Sequence, residues 1–327
     1  MTMTPRALFR AVFALIGLCL AMTCATPALA QTYPVKPIRL ILPFAGGTEL
    51  IGRMVGGKLS PVLGQQIVAD PRFGAAGNIG WEAAAKAPPD GYTLVMGAVP
   101  ILTNPHLNPK VAYDPLKSFA PIALLATIPN IIVVHPSVPA KTVRELIQLA
   151  RANPTKIAYG SGGTGSANHL AAEFLQSAGK IRLTHVPYKS ATFALNGALS
   201  GEVDMVIVVV SSTVSLMNAG RMRGLAVLDT RRNASAPQVP TSAEAGIPEL
   251  IAVNWYALLA PAGVPRAIIE RLNAESVKAM GTAETRAALA AMGGEPASSG
   301  PAETAEFMRA EYARWGKVIR EANIKAE

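Results

Sequence analysis

The sequence predicts an α/β protein with mostly parallel sheets. Short runs of β-branched residues alternate along the chain with segments of helical periodicity, as in βαβ units. Glycine-containing turns follow several predicted strands, at the points where such units pass into a helix. The 327 residues are 50% apolar, which is enough for a packed core in about two domains of ordinary size.

The first predicted elements are a strand at residues 38–44 and a helix that runs to Leu63. Ile51, Val55 and Leu59 recur on one face of that helix. Further strands are expected at 66–69, 92–97 and 130–135, with a short helix after the loop 74–78. Residues 142–145 are Thr-Val-Arg-Glu, a capping box that begins another helix.

The alternation continues through the second half of the chain. Strands are predicted at 156–160, 181–186, 203–210, 223–228 and 256–260. The run 203–210 is apolar except for Asp204, which indicates a strand buried on both faces. Helices are expected at 166–178 and after Pro265. The last helix carries Met308, Tyr312, Trp315 and Ile319 at helical spacing, a pattern typical of core packing.

The first 30 residues have the pattern of a cleavable secretory signal. Arg6 and Arg10 precede an apolar run at 11–22, and Ala-Leu-Ala at 28–30 predicts cleavage before Gln31. The run is short for a membrane anchor, which is the alternative. Both cysteines, Cys19 and Cys24, lie in this segment, so we expect no disulfide in the mature chain. We predict a soluble protein of the bacterial periplasm.

The net charge of +9 falls to +7 when Arg6 and Arg10 are removed with the signal. The basic residues are scattered, with no run longer than Arg231-Arg232 and no basic-aromatic stripe. This distribution predicts no nucleic-acid partner and a general attraction of anions.

Loops after the predicted strands are the candidate binding segments, because ligands of such sheets bind at the carboxyl ends of strands. Loop one is residues 43–49 and loop two is residues 72–78. Their glycines can expose backbone N–H groups beside a helix amino terminus, which suits a carboxylate or phosphate. Plain turns, with Asn78 only capping the next helix, are an equally good interpretation.

Loop three, residues 159–169, is the densest polar and glycine-rich segment. Gly160, Gly162 and Gly165 satisfy G-x-G-x-x-G, but the next strand ends without the acid of a dinucleotide site. The hydroxyl and amide side chains of this loop can instead bind an oxyanion. His169 either packs near the loop or binds ligand. Loop four is residues 186–190. Its Tyr188 and Lys189 either contact the ligand or form a packed tyrosine beside a solvated lysine.

Catalytic and metal motifs are not found in the sequence. No serine lies in G-x-S-x-G, the four histidines are dispersed, and no paired carboxylates stand out. We therefore predict no enzymatic activity, no cofactor and no metal site.

The combination of motifs resembles one family over nearly all of the mature chain. The motifs are Tyr33-Pro34, Lys36-Pro37-Ile38, Pro43-Phe44…Gly46-Gly47, Gly74…Gly77-Asn78-Ile79-Gly80, Pro89-Asp90-Gly91-Tyr92-Thr93-Leu94, Tyr113-Asp114-Pro115, Tyr159-x-Ser161-x-Gly163-x-Gly165-Ser166…His169-Leu170…Glu173, Val186-Pro187-Tyr188-Lys189, Gly201-x-Val203-Asp204 and Leu258-Leu259-Ala260-Pro261-Ala262-Gly263. As a set, they resemble the Bug (Bordetella uptake gene) family, the TctC-like substrate-binding proteins of tripartite tricarboxylate transporters.

The resemblance implies a two-lobed periplasmic-binding-protein fold of type II, with a ligand cleft at the hinge. Lobe one would comprise residues 31–130 and 255–327, and lobe two residues 131–254. The implied function is capture of a small carboxylate and its delivery to the membrane permease subunits of a tripartite transporter, by a monomer.

Carried over residue by residue, the resemblance implies a carboxylate site built from loop backbone, hydroxyl and amide groups. Its candidate residues are Phe44, Gly47, Thr48, Gly77, Asn78, Ser161, Thr164, Ser166, Asn168, His169, Tyr188 and Asp204.

Three departures from the family pattern bear on the ligand. Loop one is two residues shorter and ends in Glu49. Val208 stands where the family usually has an acid, which weakens the case for an amino-acid ligand. Phe193 follows loop four and is expected to narrow the pocket or favour an apolar ligand.

Two other functions stay open on the sequence. An exported hydrolase would use Ser161 or Ser166 with His169 as the base. A sensory or partner-docking module of the same fold would bind ligand and signal to a membrane receptor.

Overall fold

The computed structural model describes residues 33–322 and Ile324. The predicted signal, residues 1–30 with both cysteines, lies outside the described residues. The chain divides into a unit that ends at Val35 and a unit that begins at Lys36, and the second carries all the elements below. Within the described residues, no helix is long and apolar enough to cross a membrane.

Most of the described strands begin close to their predicted positions, but β4 begins 11 residues before its predicted start and β10 was not expected. They are β1 (Ile38–Leu42), β2 (Ile67–Pro71), β3 (Thr93–Ala98), β4 (Phe119–Val134), β5 (Ala158–Ser161), β6 (Thr184–Pro187), β7 (Met205–Val209), β8 (Arg223–Val227), β9 (Val253–Pro261) and β10 (Glu295–Pro296). The central residues of β7 are buried, as the apolar run predicts. β4 and β9 extend well beyond their predicted limits, and both run through the middle of the molecule.

The helices fill the intervals between strands. They are α1 (Gly47–Leu63), α2 (Asn78–Ala85), α3 (Val99–Leu107), α4 (Val143–Ala152), α5 (Ala167–Gly179), α6 (Ala191–Ser200), α7 (Val214–Asn218), α8 (Arg266–Gly281), α9 (Ala283–Ala291) and α10 (Pro301–Glu321). Side-chain oxygens of Thr142, Ser166 and Ser190 cap α4, α5 and α6 by accepting from a backbone N–H one turn later.

The strands form two sheets that share β4. The first has the order β2-β1-β3-β9-β4, with β10 also pairing β4, and the second has the order β4-β7-β5-β6, with β8 also pairing β4. β4 pairs with β9 from Phe119 to Pro129 and with β7 from Asn130 onward, so one strand passes from one sheet to the other.

The prediction of mostly parallel sheets is wrong. β1–β2, β1–β3, β5–β6 and β5–β7 are parallel, as βαβ units require. Every described ladder of β4 and β9 is antiparallel. Apolar periodicity identifies a strand but carries no information on its direction, so the mixed sheet is not visible in the sequence.

Apolar clusters cover both faces of the sheets. The predicted stripe of α10 packs into the first-sheet core through Met308, Trp315 and Ile319, while Tyr312 stacks on His106 at 4.2 Å between ring centroids. The second sheet has one cluster beneath α4 and α5 and another beneath α6. Each sheet with its helices is therefore a lobe with its own core.

Candidate ligand-binding site

A cavity of about 540 Å³ lies between the two lobes. Phe44 and residues from loop two and α3 line it on the first-sheet side, and loop three lines it on the second-sheet side. The lining residues are Phe44, Ala75, Ala76, Asn78, Pro100, Asn104, Leu107, Asn108, Gly162, Thr164, Gly165, Ser166 and Ala167. These segments follow β1, β2, β3 and β5, so the carboxyl ends of parallel strands build the cavity.

Two hydroxyl-bearing residues of loop three, Thr164 and Ser166, line this cavity. Thr164 Oγ1 is buried and has no hydrogen-bond partner within the described part of the chain. Ser166 Oγ accepts from the N–H of His169 at 3.3 Å as the cap of α5, which leaves its own proton for another acceptor. An unpartnered buried hydroxyl is unfavourable, so a ligand atom or a water at this position would be stabilising.

Helix amino termini add a positive potential to the same cavity. α2 begins at Asn78, α3 presents Pro100 in its first turn, and α5 begins at Ala167, and all three residues line the cavity. Each helix start carries a partial positive charge from its unpaired N–H groups. Within the described part of the chain, the lining residues include no Asp, Glu, Lys, Arg or His, so the potential at the lining comes from neutral donors.

Loop three is held from behind by a buried aromatic and histidine layer. Gly165 N–H donates to Nδ1 of His169 at 3.2 Å, and the rings of His169 and His185 lie 4.4 Å apart. Tyr159 Oη donates to Glu173 at 2.6 Å, and burial raises the pKa of this phenol, which keeps the proton in place. His169 is therefore placed under the loop rather than in the cavity.

Ser161, Asn168 and Tyr188 also support loop three without lining the cavity. Ser161 is fully buried, and its Oγ lies 2.6 Å from Nε2 of His185. Asn168 Nδ2 donates to the carbonyl of Ile207 at 2.6 Å, which ties α5 to β7. Tyr188 packs against Gly197, and any side chain at position 197 would collide with the hydroxyl of Tyr188. Burial raises the pKa of the Tyr188 hydroxyl.

Asp204 is a correction to the predicted site. It lies next to the start of β7, where its Oδ2 accepts from the N–H of Ala158 at 2.8 Å. Loop three follows Ser161 at the opposite end of β5, so Asp204 is at the wrong end of the sheet to face the ligand. The predicted strand 203–210 already places Asp204 at its amino end, which was the available signal that this residue lies away from the loops at the carboxyl ends.

Loop one divides between two locations. Phe44 reaches the main cavity, and Gly77 packs so closely against Phe44 and Trp81 that a side chain there would collide with both. Gly47 lines a second cavity of about 520 Å³ beside Tyr256, Arg53 and Glu49. Thr48 is buried behind the loop.

Glu49, the acidic residue at the end of loop one, forms an ion pair with Arg53. Oε1 of Glu49 lies 2.7 Å from Nη2 of Arg53, one helical turn along α1. Burial raises the pKa of Tyr256 to about 12, so its phenol faces the second cavity as a neutral group.

Two of the three expected ligand determinants lie elsewhere. Phe193 is 57% exposed on α6 and does not line the cavity, so the expectation that it narrows the pocket is wrong. Val208 packs in the apolar cluster beneath α6.

Four of the predicted residues, Phe44, Asn78, Thr164 and Ser166, line the main cavity. α3 also contributes to the cavity lining, through residues that the sequence motifs do not indicate: Pro100, Asn104, Leu107 and the adjoining Asn108. This segment follows β3 directly as a helix, without the glycine-rich turn used to find the other loops. Its position after a predicted strand was the available signal.

The arrangement defines a class of protein, a two-lobed solute receptor with its binding site between the lobes. Residues 51–324 match the family model described as "Tripartite tricarboxylate transporter family receptor". The chain belongs to this TctC family, which confirms the resemblance found in the sequence.

Individual relatives extend this finding over most of the chain. Protein BugT of Bordetella pertussis is 33% identical over 317 residues, which cover 95% of this chain and 97% of the relative. Rpa4515 of R. palustris, solved with adipate, is 34% identical, with a TM-score of 0.79 over 90% of this chain and 99% of that one. MatC from Rhodopseudomonas palustris, solved with bound malate, is 29% identical, with a TM-score of 0.76 over 88% of this chain and 100% of that one.

The prediction that the chain is not an enzyme is confirmed, because the family consists of solute-binding receptors. The hydrolase alternative is wrong. Ser161 is buried with its hydroxyl bonded to His185, and His169 accepts a backbone N–H of the loop.

Proposed function

We propose that this chain is a periplasmic receptor that binds a small carboxylate between its lobes and delivers it to the permease subunits of a tripartite transporter. The observation that carries the proposal is the unpartnered, buried hydroxyl of Thr164, a residue that lines the same cavity as Ser166 and Asn78. A carboxylate accepts hydrogen bonds and donates none, so it matches such a set of donors.

The electrostatics of the cavity favour an anion over a cation. Three helix starts direct partial positive charge into it, and none of the described residues that line it is acidic. An ammonium group would be desolvated there without a carboxylate partner, which is costly. We therefore expect an organic acid without an amino group.

The walls of the cavity suit a ligand with an apolar body. Phe44, Pro100 and Leu107 line one side, and alanines from loop two and α5 add further apolar surface. The hydroxyl and amide groups would fix the acid group, and the apolar walls would cover the carbon skeleton. The adipate and malate bound to two similar structures are ligands of this general kind.

Transport requires export and closure of the lobes. We propose that residues 1–30 are removed as a signal. Lobe one would then comprise residues 31–130 and 255–327, and lobe two would comprise residues 131–254. The shared strand β4 and its neighbour β9 would be the hinge, and bound acid would favour the closed form by touching both sides of the cleft. We expect the receptor to act as a monomer.

Titration calorimetry of the mature protein tests the binding step. Adipate, malate and benzoate are each compared with their uncharged amides at pH 7. We expect at least one acid to bind with one-to-one stoichiometry and its amide to bind at least about a hundredfold more weakly, since two to three charge-assisted hydrogen bonds are lost. Failure of all three acids, or equal binding of an acid and its amide, would overturn the proposal.

Two further experiments test whether the acid binds in the main cavity and whether the receptor acts in transport. Ala167→Trp places an indole in the main cavity and should abolish binding of the acid, while leaving unfolding temperature nearly unchanged. Membrane partners are then captured with acid-loaded protein. Recovery of permease subunits supports delivery, whereas recovery of only a sensor kinase would favour the sensory module.

A further inference from the structure

Loop two contains a left-handed turn that includes two alanines. The φ angles of Gly74, Ala75, Ala76 and Gly77 are 121°, 47°, 51° and 85°. Glycine adopts this region freely, but an alanine does so only at an energetic cost, because its Cβ approaches the backbone. Ala75 and Ala76 both line the main cavity, so the strained part of the turn is the part that meets the ligand.

A single buried side chain fastens this turn. Asn104 of α3 is 5% exposed, and its Nδ2 donates to the carbonyl of Ala76 at 2.7 Å and to Oδ1 of Asn78 at 2.8 Å. The carbonyl of Ala76 can only accept, so it fixes which end of the Asn104 amide faces loop two. Both N–H groups of that amide are then in use.

The orientation of Asn78 follows from these contacts. Its Oδ1 accepts from Asn104 and also from Oη of Tyr113 at 3.2 Å. Tyr113 is itself buried, which raises the pKa of its phenol and keeps the donor proton. Nδ2 of Asn78 makes no hydrogen bond within the described residues and is left as a donor for the cavity that Asn78 lines.

We propose that Asn104 is a positioning residue of the carboxylate site. It holds Asn78 with its donor end toward the ligand and keeps Ala76 in the left-handed turn, so the cleft is prearranged for an acid. This inference rests on the proposed function. Without Asn104, the amide of Asn78 can rotate and offer its oxygen to the carboxylate, and the turn can relax from its strained conformation.

A thermodynamic cycle tests the proposal, with the best-binding acid and its amide as the two ligands. Asn78→Ala, Asn104→Ala and the double variant are titrated beside the wild type. We expect Asn104→Ala to weaken acid binding about tenfold and to leave the amide within about twofold. The double variant should bind acid about as weakly as Asn78→Ala alone, because Asn104 acts through Asn78.

The turn provides an independent arm of the test. Ala76→Gly in the wild-type background is titrated first and gives the reference affinity for this arm. Added to Asn104→Ala, it should recover part of the lost affinity, because glycine lowers the cost of the left-handed conformation. If Asn104→Ala does not fold, Tyr113→Phe removes one donor to Asn78 by deleting a single oxygen, and we expect acid binding to weaken two- to threefold.

The outcomes separate the inference from the proposed function. Wild-type protein that binds none of the acids overturns both. Acid binding by the wild type together with an unchanged affinity in Asn104→Ala, or in Tyr113→Phe if that variant is needed, overturns only the positioning role. Additive losses in the double variant also overturn it, since they would mean that Asn104 acts on the ligand independently of Asn78.

Discussion

At the scale of single residues, the candidate site is built from small, neutral hydrogen-bond donors rather than from charged side chains. Thr164, Ser166 and Asn78 meet across the cleft from different strands and helices. Neutral donors can hold an anion because their dipoles are fixed in place before it arrives. Among the described residues that line the cavity, no arginine or lysine is present to form a salt bridge with a bound anion.

Thr164→Val tests whether a neutral hydroxyl contributes to binding of the acid. The substitution keeps the side-chain shape and removes the hydroxyl that has no protein partner. We expect acid binding by calorimetry to weaken about tenfold, equivalent to about 1.4 kcal/mol, because one charge-assisted hydrogen bond is lost. Unfolding temperature should stay the same or rise, since a buried unpaired hydroxyl disappears.

A matched control is Thr192→Val on α6, whose threonine is exposed and lies outside the cavity lining. It should leave the affinity for the acid unchanged. Equal losses in the two variants would mean that the hydroxyl of Thr164 does not contact the ligand.

The sequence predicts part of the candidate site, namely the cavity residues that lie in loops after parallel strands. Phe44, Asn78, Thr164 and Ser166 lie in the cavity because loops after parallel strands meet at one edge of a sheet. Residue type alone cannot separate them from Ser161, Asn168 and His169, which have similar chemistry but face inward to brace loop three. Asn104 was missed because it is on a helix without a glycine-rich turn.

At the scale of one element, α1 shows how close packing fixes loop one. Gly52 faces the sheet, where an added Cβ would lie 2.5 Å from Leu42 and 3.0 Å from Met96. Gly57 of the same helix faces open space. The helix can approach β1 and β3 so closely only where the side chain is absent.

Alanine substitutions at these two glycines should therefore have opposite effects. Gly52→Ala is expected to lower the free energy of unfolding by about 1–3 kcal/mol through overpacking. Gly57→Ala should raise it by about 0.5–1 kcal/mol, because alanine is the better helix former and meets no neighbour. Urea unfolding followed by circular dichroism measures both. A loss of stability in Gly57→Ala as large as that in Gly52→Ala would contradict the packing described.

Elements were predicted better than their arrangement. The periodicity of α1 and α10 and the apolar run of β7 place these elements well, because each buries one face or both faces against the sheets. The extent of β4 and its antiparallel partners was not predicted, since Pro121 and Pro129 interrupt its pattern and strand direction depends on tertiary pairing.

At the scale of the whole molecule, β4 joins two lobes that each have a core. Asn130 marks the passage between the sheets, where its Nδ2 donates to the carbonyl of Ala252 at 3.0 Å and its Oδ1 accepts from Asn254 at 2.9 Å. A buried polar pair at this point satisfies the backbone where the strands change partners. In the proposed function, the lobes would move about this connection.

The central claim is that the cleft between these lobes binds a small organic acid. Native mass spectrometry of the mature protein, mixed with adipate, malate and benzoate in excess, tests it most directly. We predict one bound acid per chain, lost on denaturation and absent from Ala167→Trp. No adduct with any of the three acids, or an adduct that Ala167→Trp retains, would contradict the claim.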